Sequence, residues 1–597
     1  MHNVYLFQPQ YAVDVRNETN YWLPYSVGCI WSYVAQFPHI TDNFQLRELF
    51  FKRQDPVEIL DTLENPIVCA FSCYVWNIKY CLLIAEKIKA TWPDCHIVFG
   101  GPQINSKYLN HRFVDSVVLA EGEEAFLDIL NNILNDQTPK SIYIENRLKD
   151  LNVPSPYTTG VFDSLIKQHP TAVWAMTIET NRGCPYSCTF CDWGGGLYNK
   201  TRKFNLEKVQ EELDWASKNP VSYLFVADAN FGMFRDRDIQ VAKMLKDTAE
   251  KGQLESVSVQ YAKNSTEIVF EIAKILGKLS RGVTVSVQSM NDSTLLEIKR
   301  KNLSINNIKV LMELSKKHNV TTYTEVILGL PMETLETWKD GLCDILDLGQ
   351  HDAIDMWFCH LLENSELNQL NSRLRYGIET TKVKDYLSFV NVNDYDLIKE
   401  EIEIITKTNT LTSNDLVECY MYGWMIIAFH INGYTQICSK YARNKLGISY
   451  RKFYDQFYSM IIDSKEFSDH YRDMRMTIEY YIKHGSLPDD TKLKVSGNGH
   501  GLYTSSYEFI YEHRQFVFDL AYMCAKTFDP DAPTDLLFLQ QNMVYDQQMS
   551  LPMDLDLSFD PTTFESNYTS CQIDNLNNIK KFDYNSRRKG LMKNIIK

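Results

Sequence analysis

Asn181-Arg-Gly-Cys-Pro-Tyr-Ser-Cys-Thr-Phe-Cys-Asp-Trp-Gly-Gly-Gly196 follows directly on an apolar run and sets cysteines at 184, 188 and 191. Such a Cys-x3-Cys-x2-Cys loop supplies three soft thiolates within one short stretch of backbone. That donor set selects an iron–sulfur cluster or zinc over harder cations. A full 4Fe–4S set takes four cysteines, and the next one here is Cys343. The loop therefore leaves one iron open to a substrate or cofactor, and the glycines at 194–196 let backbone approach it closely. Zinc completed by a distant histidine is the alternative, although zinc loops usually pair Cys-x2-Cys with a second pair.

Outward from the loop, strand-like segments at 173–179, 223–227, 256–261, 283–288, 322–328 and 354–360 alternate with helical ones. The cysteine loop follows the first strand of this βα alternation. Upstream, apolar segments at 4–7, 67–71, 96–99 and 117–120 flank a helix in which Ile78, Cys81, Leu82, Ala85 and Ile88 recur at helical spacing. This alternation predicts a parallel sheet covered on both faces. Ligands on such sheets bind at the carboxyl ends of the strands. Three turns fall there: Ser72-Cys-Tyr-Val75, Gly100-Gly-Pro-Gln103 and Glu121-Gly-Glu-Glu124. No Gly-x-Gly-x-x-Gly follows a strand, which argues against a nicotinamide site.

The cysteine spacing, with aromatic Phe190 before the third cysteine, resembles the radical S-adenosylmethionine (SAM) superfamily. The resemblance implies a 4Fe–4S cluster held by Cys184, Cys188 and Cys191, whose open iron chelates SAM. An electron from the reduced cluster then cleaves the sulfonium to methionine and a 5′-deoxyadenosyl radical. The six βα units resemble that family's partial (β/α)6 barrel. By the same resemblance Asp228 and Asn230 meet the SAM amino group, Ser286 and Gln288 the ribose or methionine moiety, and Arg300 clamps the carboxylate with its planar fork. Glu325-Val-Ile-Leu-Gly-Leu-Pro331 resembles the fifth-strand motif that packs on adenine through Ile327 and Gly329, with the family's trailing acid displaced to Glu333. Trp193 either covers the cluster, touches substrate or packs.

The N-terminal turns resemble the cobalamin-binding domain that precedes many radical SAM cores, which implies contacts from Ser72, Gly100, Gly101, Pro102, Gln103, Glu121, Gly122 and Glu123. Pro154-Ser-Pro-Tyr157 resembles a segment found between those two domains. The family's Asp-x-His-x-x-Gly motif is missing: residues 8–24 contain no histidine, and Asp94-Cys-His96 has Phe99 where the glycine belongs. The resemblance thus points to the branch that binds cobalamin without a protein histidine, or to a degenerate domain without cobalamin.

The expected fold is α/β: a Rossmann-like (flavodoxin-like) domain over residues 1–140, a linker over 141–171, a partial TIM-type barrel over 172–370 and a mainly helical domain over 371–597. Thr412-Ser-Asn-Asp415 is a helix start with an acid three residues after the cap. The aromatic-rich stretch 450–518 reads as core or as a lid over the barrel. Residues 486–505 and 548–575 read as loops, and the basic cluster from Arg587 to Lys597 as a solvated tail.

A net charge of −15 argues against a nucleic-acid partner. The most apolar run, 416–431, carries Glu418 and His430 and is too short to span a membrane. Fourteen cysteines without a disulfide pattern, and no signal-peptide pattern after Met1, suggest a cytoplasmic protein.

The leading reading is a cobalamin-dependent radical SAM methyltransferase acting on an unactivated carbon. The alternatives are a cobalamin-binding radical cyclase or rearrangement enzyme and a non-catalytic cobalamin or redox sensor. The enzyme readings require a small-molecule or peptide substrate and an electron donor such as flavodoxin or ferredoxin.

Overall fold

Alternation along the first strand already sorts two cores. In His2–Gln10, Val4 and Leu6 join one apolar cluster while Tyr5 and Phe7 join another, because successive strand side chains point to opposite faces. The computed structural model describes residues 1–11, 20–144, 147–193, 200–263, 267–318, 320–384, 398–491, 493, 499–542, 544, 553–554 and 572–573. Six parallel strands form the N-terminal sheet in the spatial order Phe44–Lys52, His2–Gln10, Pro66–Ser72, His96–Gly100, Ser116–Val118, Ile142–Tyr143. In chain order this reads 2-1-3-4-5-6, the flavodoxin-like winding with its switch point between the first and third strands. Helix Ile78–Thr91 covers one face, and helices Tyr25–Val34 and Gly122–Leu134 cover the other.

The barrel strands are Val173–Ile178, Val221–Phe231, Ser256–Tyr261, Val283–Gln288, Thr322–Leu328 and Ile354–Phe358. They pair in parallel as two groups of three, and helices follow the first five. One element carries no sequence signal. Asn20–Trp22, from the connection after the first N-terminal strand, pairs in parallel with the first barrel strand and extends its free edge.

The region expected to be mainly helical opens on helix Leu370–Tyr376 and then forms a sheet. Glu401–Lys407 pairs antiparallel with both Glu379–Lys384 and His360–Leu361, and so prolongs the sixth barrel strand. Helices follow. Ser413–Met425 starts on a capping box between Thr412 and Asp415 and runs into a π-helical turn at Ile426–Ile431. Trp338 of barrel helix Leu335–Asp347 donates its indole N–H to the Cys419 carbonyl (2.9 Å) and docks that helix. The run expected to be a buried helix is therefore core, and among the described residues no helix is long and apolar enough to cross a membrane. Phe453, Tyr454, Phe457, Phe467, Tyr481 and Phe518 are buried, so the aromatic stretch 450–518 is core as well. Gly499–Ser506, read as loop, is a 3-10 helix. The glycines at 194–196, the tail from Arg587 and most of 548–575 lie outside the described residues.

One apolar cluster runs through all three regions, taking in Leu6, Trp174, Val326, Trp424 and Phe518. A second tie is ionic. Arg53, past the second N-terminal strand, pairs with Glu400 at 3.1 Å, both side chains almost fully buried. Glu400 also accepts from the backbone N–H groups of Lys79 (2.9 Å) and Tyr80 (3.0 Å), satisfying first-turn donors of helix Ile78–Thr91.

Candidate active site

The first barrel strand ends at Ile178, and the chain then enters the cysteine loop through a short antiparallel ladder of Asn181–Arg182 with Arg202–Lys203. Arg237 donates to the carbonyls of Thr180 (2.9 Å) and Phe204 (2.7 Å), one on each stem of the loop. Asp228, late in the second strand, accepts from the backbone N–H groups of Thr180 (2.8 Å) and Asn181 (3.0 Å), from Asn181 Nδ2 (2.7 Å) and from the Thr180 hydroxyl. Burial lifts its carboxyl to about 7 although these bonds pull the other way. Expected at the SAM amino group, Asp228 is instead committed to the base of the loop. Chain order placed it at the right strand end, but adjacent backbone donors claim its oxygens.

Beyond that base the thiols come together with two cations. Cys184 and Cys188 are buried and Cys191 is half-buried. Asn230 Nδ2 donates to Cys184 Sγ at 3.3 Å, and its Oδ1 is buried without a partner. Lys263, just past the third strand, holds Nζ 3.9 Å from Cys188 Sγ and 5.5 Å from the Tyr186 ring centroid. Sequence reasoning missed Lys263, a lone lysine with no motif around it. The Trp193 backbone N–H donates to Cys191 Sγ at 3.4 Å, while its side chain stays partly exposed. Burial pushes the Cys191 thiol up, against that N–H and Lys263.

Arg300 is buried and faces Cys188 and Cys191. Burial lowers its pKa, and those thiols oppose the shift. It donates to Asn302 Oδ1 (2.9 Å) and to the Ser286 carbonyl. These bonds hold the guanidinium by Nε and Nη2 at the thiol pocket. Asp192, directly after the last thiol, is lifted to about 6 by burial, against a backbone hydrogen bond from Asn364.

Other strand ends line the same mouth. Ser286 donates to Glu325 (2.6 Å). Gln288 is buried at φ 65°, a left-handed conformation that is uncommon outside glycine and collects at ligand sites. Phe190 and Ile327 pack on one apolar cluster with Ile298, Leu361 and Leu367. Gly329 needs to be glycine: its φ is 95°, and a Cβ would sit 3.3 Å from the Ile405 carbonyl oxygen. Glu333 accepts from Ser289 and Thr337 (2.5 Å each), so it braces the strand ends.

The N-terminal turns behave differently from one another. Gly101 lies so close to Cys73 that a Cβ would come within 2.6 Å of its carbonyl oxygen, whereas Gly100 has ordinary room beside Val118. Asn364, past the sixth barrel strand, donates to the Pro102 carbonyl (2.7 Å), and Gln103 N–H donates to the Cys73 carbonyl (3.2 Å). The Ser72 carbonyl accepts from Asn77 (3.0 Å). These contacts turn the 100–105 loop toward the barrel mouth.

Glu121 and Glu123, expected at cobalamin, are instead taken up by the cysteine loop's two stems. Arg182 pairs with Glu123 at 2.8 Å and with Glu179 at 2.9 Å, and Arg202 pairs with Glu121. Gly122 between them packs against Ile30, 2.7 Å from where a Cβ would stand. Although burial opposes its charge, Glu179 and Glu123 hold the Arg182 pKa well above its ordinary value. Tyr157 of the connecting segment anchors to the first barrel strand, its hydroxyl donating to the Thr177 carbonyl (2.6 Å).

Whether these residues suit a cluster follows from their chemistry. Among the described residues no three His, Cys, Asp or Glu side chains close on one ion. A cubane asks for something else, because each thiolate binds its own iron. Three thiols facing Lys263 and Arg300, with the buried Thr189 Oγ1 and Asn230 Oδ1 unpartnered beside them, match a group carrying thiolate charge.

A family profile described as the Radical SAM superfamily matches residues 178–342. The 2-(S-pantetheinyl)-carbapenam-3-carboxylate methyltransferase of Streptantibioticus cattleyicolor is 32% identical over 461 residues, covering 73% of this chain and 67% of its own. The cobalamin-dependent radical SAM methyltransferase TokK of Streptomyces tokunonensis is 33% identical over 464 residues, with the same coverage of 73% and 67%. Among solved structures, the cobalamin-dependent S-adenosylmethionine radical enzyme OxsB with aqua-cobalamin and S-adenosylmethionine bound shares the fold. The two align with a TM-score of 0.51 at 15% identity, over 92% of this chain and 82% of that one.

Proposed function

Because the chain belongs to the cobalamin-dependent radical SAM methyltransferases, we propose that Cys184, Cys188 and Cys191 hold its 4Fe–4S cluster and that the N-terminal strand ends hold its cobalamin against the same mouth. When bound, the cluster supplies the electron for reductive cleavage of SAM, and cobalamin carries the methyl group. The observation that carries the assignment is convergence. The three thiols, Lys263 and Arg300 meet at the carboxyl ends of the barrel strands, and the Gly101–Gln103 turn is bonded to the loop after the sixth strand.

Each residue then has a task. Asn230 donates to the Cys184 sulfur and offers Oδ1 to SAM. Phe190, Ile327 and Gly329 form the flat apolar side of the mouth, where an adenine ring can lie. Ser286 and Gln288 edge the ribose. On the cobalamin side we assign the Ser72 to Trp76 turn and the Gly101–Gln103 turn. Trp76 Nε1 there is buried without a partner among the described residues and is free to donate. The same assignment gives a cobalamin domain over 1–143, since Ile142–Tyr143 is a strand of its sheet, a shortened linker up to 171, a barrel over 172–370 and a C-terminal domain over 371–597.

The proposed substrate is a small molecule with an unactivated carbon to be methylated. One relative is named for a pantetheinylated carbapenam carboxylate, and a compound of that class is the first to offer.

The test is anaerobic reconstitution with iron, sulfide and cobalamin, followed by reductant, SAM and substrate. Formation of 5′-deoxyadenosine, S-adenosylhomocysteine and a product heavier by one methyl group is expected, and Cys184→Ala should form none of them. Deoxyadenosine without S-adenosylhomocysteine would refute methyl transfer with that substrate.

A further inference from the structure

Two strand ends of the N-terminal sheet reach the cysteine loop by different routes. Glu121 and Glu123, past Ser116–Val118, pair directly with its stems. The turn past His96–Gly100 reaches it through a second turn, residues 362–368, beyond the sixth barrel strand. That second turn is stiff. The Ser365 N–H (3.1 Å) and hydroxyl (2.9 Å) donate to the Leu362 carbonyl, and Asn368 Nδ2 donates to the carbonyls of Leu362 (3.1 Å) and Glu363 (3.3 Å). It grips the cysteine loop at two points. Leu367 N–H donates to the Thr189 carbonyl (2.8 Å), between the second and third thiols, and the Asn364 backbone N–H donates to Asp192, directly after the third.

On its other side the grip concentrates in one side chain. Asn364 Nδ2 donates to the carbonyls of Pro102 (2.7 Å) and Ile104 (3.0 Å), and its Oδ1 accepts from Asn105 Nδ2 (3.1 Å). Both amide hydrogens and the amide oxygen are thus engaged by one four-residue stretch. Only a side chain with two donors and an acceptor at that spacing can do this. Glu363 adds a bond from Asn105 (2.9 Å) and a pair with Lys107. The turn being gripped is stiff as well. Gly101 holds φ 100° with no room for a Cβ beside Cys73, whose N–H donates to the Gly100 carbonyl (2.7 Å) and whose carbonyl accepts from Gln103 (3.2 Å). A shift at Asn364 therefore passes to both turns assigned to cobalamin. The residue is itself exposed, so the tie can be cut without opening the core.

We propose that Asn364 is a positioning residue that fixes the separation between the thiol-held site and the cobalamin site, and so couples hydrogen abstraction to methyl delivery. The proposal rests on the cofactor reading given above for the three thiols and the Gly101–Gln103 turn. In methylation the substrate carbon gives a hydrogen atom to the deoxyadenosyl radical. It then pairs its remaining electron with that of the arriving methyl group, the other electron of the methyl's bond staying on cobalt. One 5′-deoxyadenosine therefore forms per methyl group transferred. Both partners must face one carbon at once, and the rate of such a step depends steeply on their placement. A shift between the two sites lets abstraction proceed while delivery fails.

The experiment compares reconstituted wild type with Asn364→Ala and Asn364→Asp. Its first readout needs no substrate: the magnetic coupling between cob(II)alamin and the reduced cluster, followed by EPR as the power saturation of the cobalt signal. Iron and cobalamin contents should match wild type in both variants, while the saturation power should shift. With a pantetheinylated carbapenam carboxylate as substrate, the methylated product formed per 5′-deoxyadenosine should fall by about tenfold, since a misplacement of about 1 Å can cost about 100-fold. Asn364→Asp, which turns an acceptor on the Pro102 and Ile104 carbonyls, should do at least as much. Unchanged saturation in both variants would overturn the proposal, and so would an unchanged product ratio. Loss of cofactor content with an equal fall in both products would overturn it too, as the mark of a merely structural residue. Wild type that holds no cobalamin or no reducible cluster would instead overturn the cofactor reading beneath it.

Discussion

Asn230→Ala removes the side-chain N–H that reaches the Cys184 sulfur. Hydrogen bonds to the sulfurs raise a cluster's reduction potential, so the variant should shift the midpoint downward in an EPR-monitored redox titration while keeping its iron content. An unchanged midpoint would count against the assigned contact. Asp228→Asn tests the base of the loop. An amide in place of a carboxylate that accepts four hydrogen bonds forces a buried donor against donors, at a cost of about 1–3 kcal/mol. It also changes the pH response. Folding raises the Asp228 carboxyl to about 7, so the native state holds a proton that the unfolded chain releases near its ordinary value. The associated stability is present below about pH 4 and fades as pH rises toward 7, at roughly 1.4 kcal/mol per pH unit. Denaturant midpoints between pH 5 and pH 7 should therefore fall more steeply in wild type than in Asp228→Asn. The thiols were legible because their spacing is itself the chemistry. Lys263 and Arg182 were not, because a single basic residue acquires a role only from the groups the fold brings to it.

At the scale of elements, the two stems of the cysteine loop are fastened to the start of helix Gly122–Leu134, at Glu121 and Glu123. Glu123→Gln leaves Arg182 short of one buried counter-charge, and breaking such a pair costs about 3–5 kcal/mol. The variant should melt earlier and release cobalamin faster on gel filtration, whereas a surface control such as Glu64→Gln should do neither. Strand periodicity was readable with good limits at 256–261, 283–288 and 322–328, since long alternating or apolar runs leave little choice of register. The C-terminal sheet was overlooked even though Glu401-Ile-Glu-Ile404 alternates polar and apolar residues. Neighbouring helical patterns dominated the reading there. Asn20–Trp22 gave no local clue: three residues cannot display a period, and what holds them is a partner strand far along the chain.

On the scale of the whole molecule, a continuous apolar core and the buried Arg53–Glu400 pair make the three regions interdependent. Differential scanning calorimetry should record a single endotherm, and resolved transitions for the sheet domain and the helical layer would contradict this. Glu400→Ala leaves the Arg53 guanidinium buried without its counter-charge and uncaps helix Ile78–Thr91. It should lower stability by about 3–5 kcal/mol and expose the 398–401 segment to proteases. The borrowed edge strand carries a further consequence, for synthesis. Asn20 leaves the ribosome about 150 residues before Val173, its partner, and at about 5–20 residues per second it waits roughly 8–30 s. Throughout that interval the nascent N-terminal sheet holds an open connection whose strand has nowhere to pair. Expression should therefore respond to translation speed and to chaperones that shield unpaired edges, and a gene cut between the sheet and the barrel should yield a fragment that aggregates.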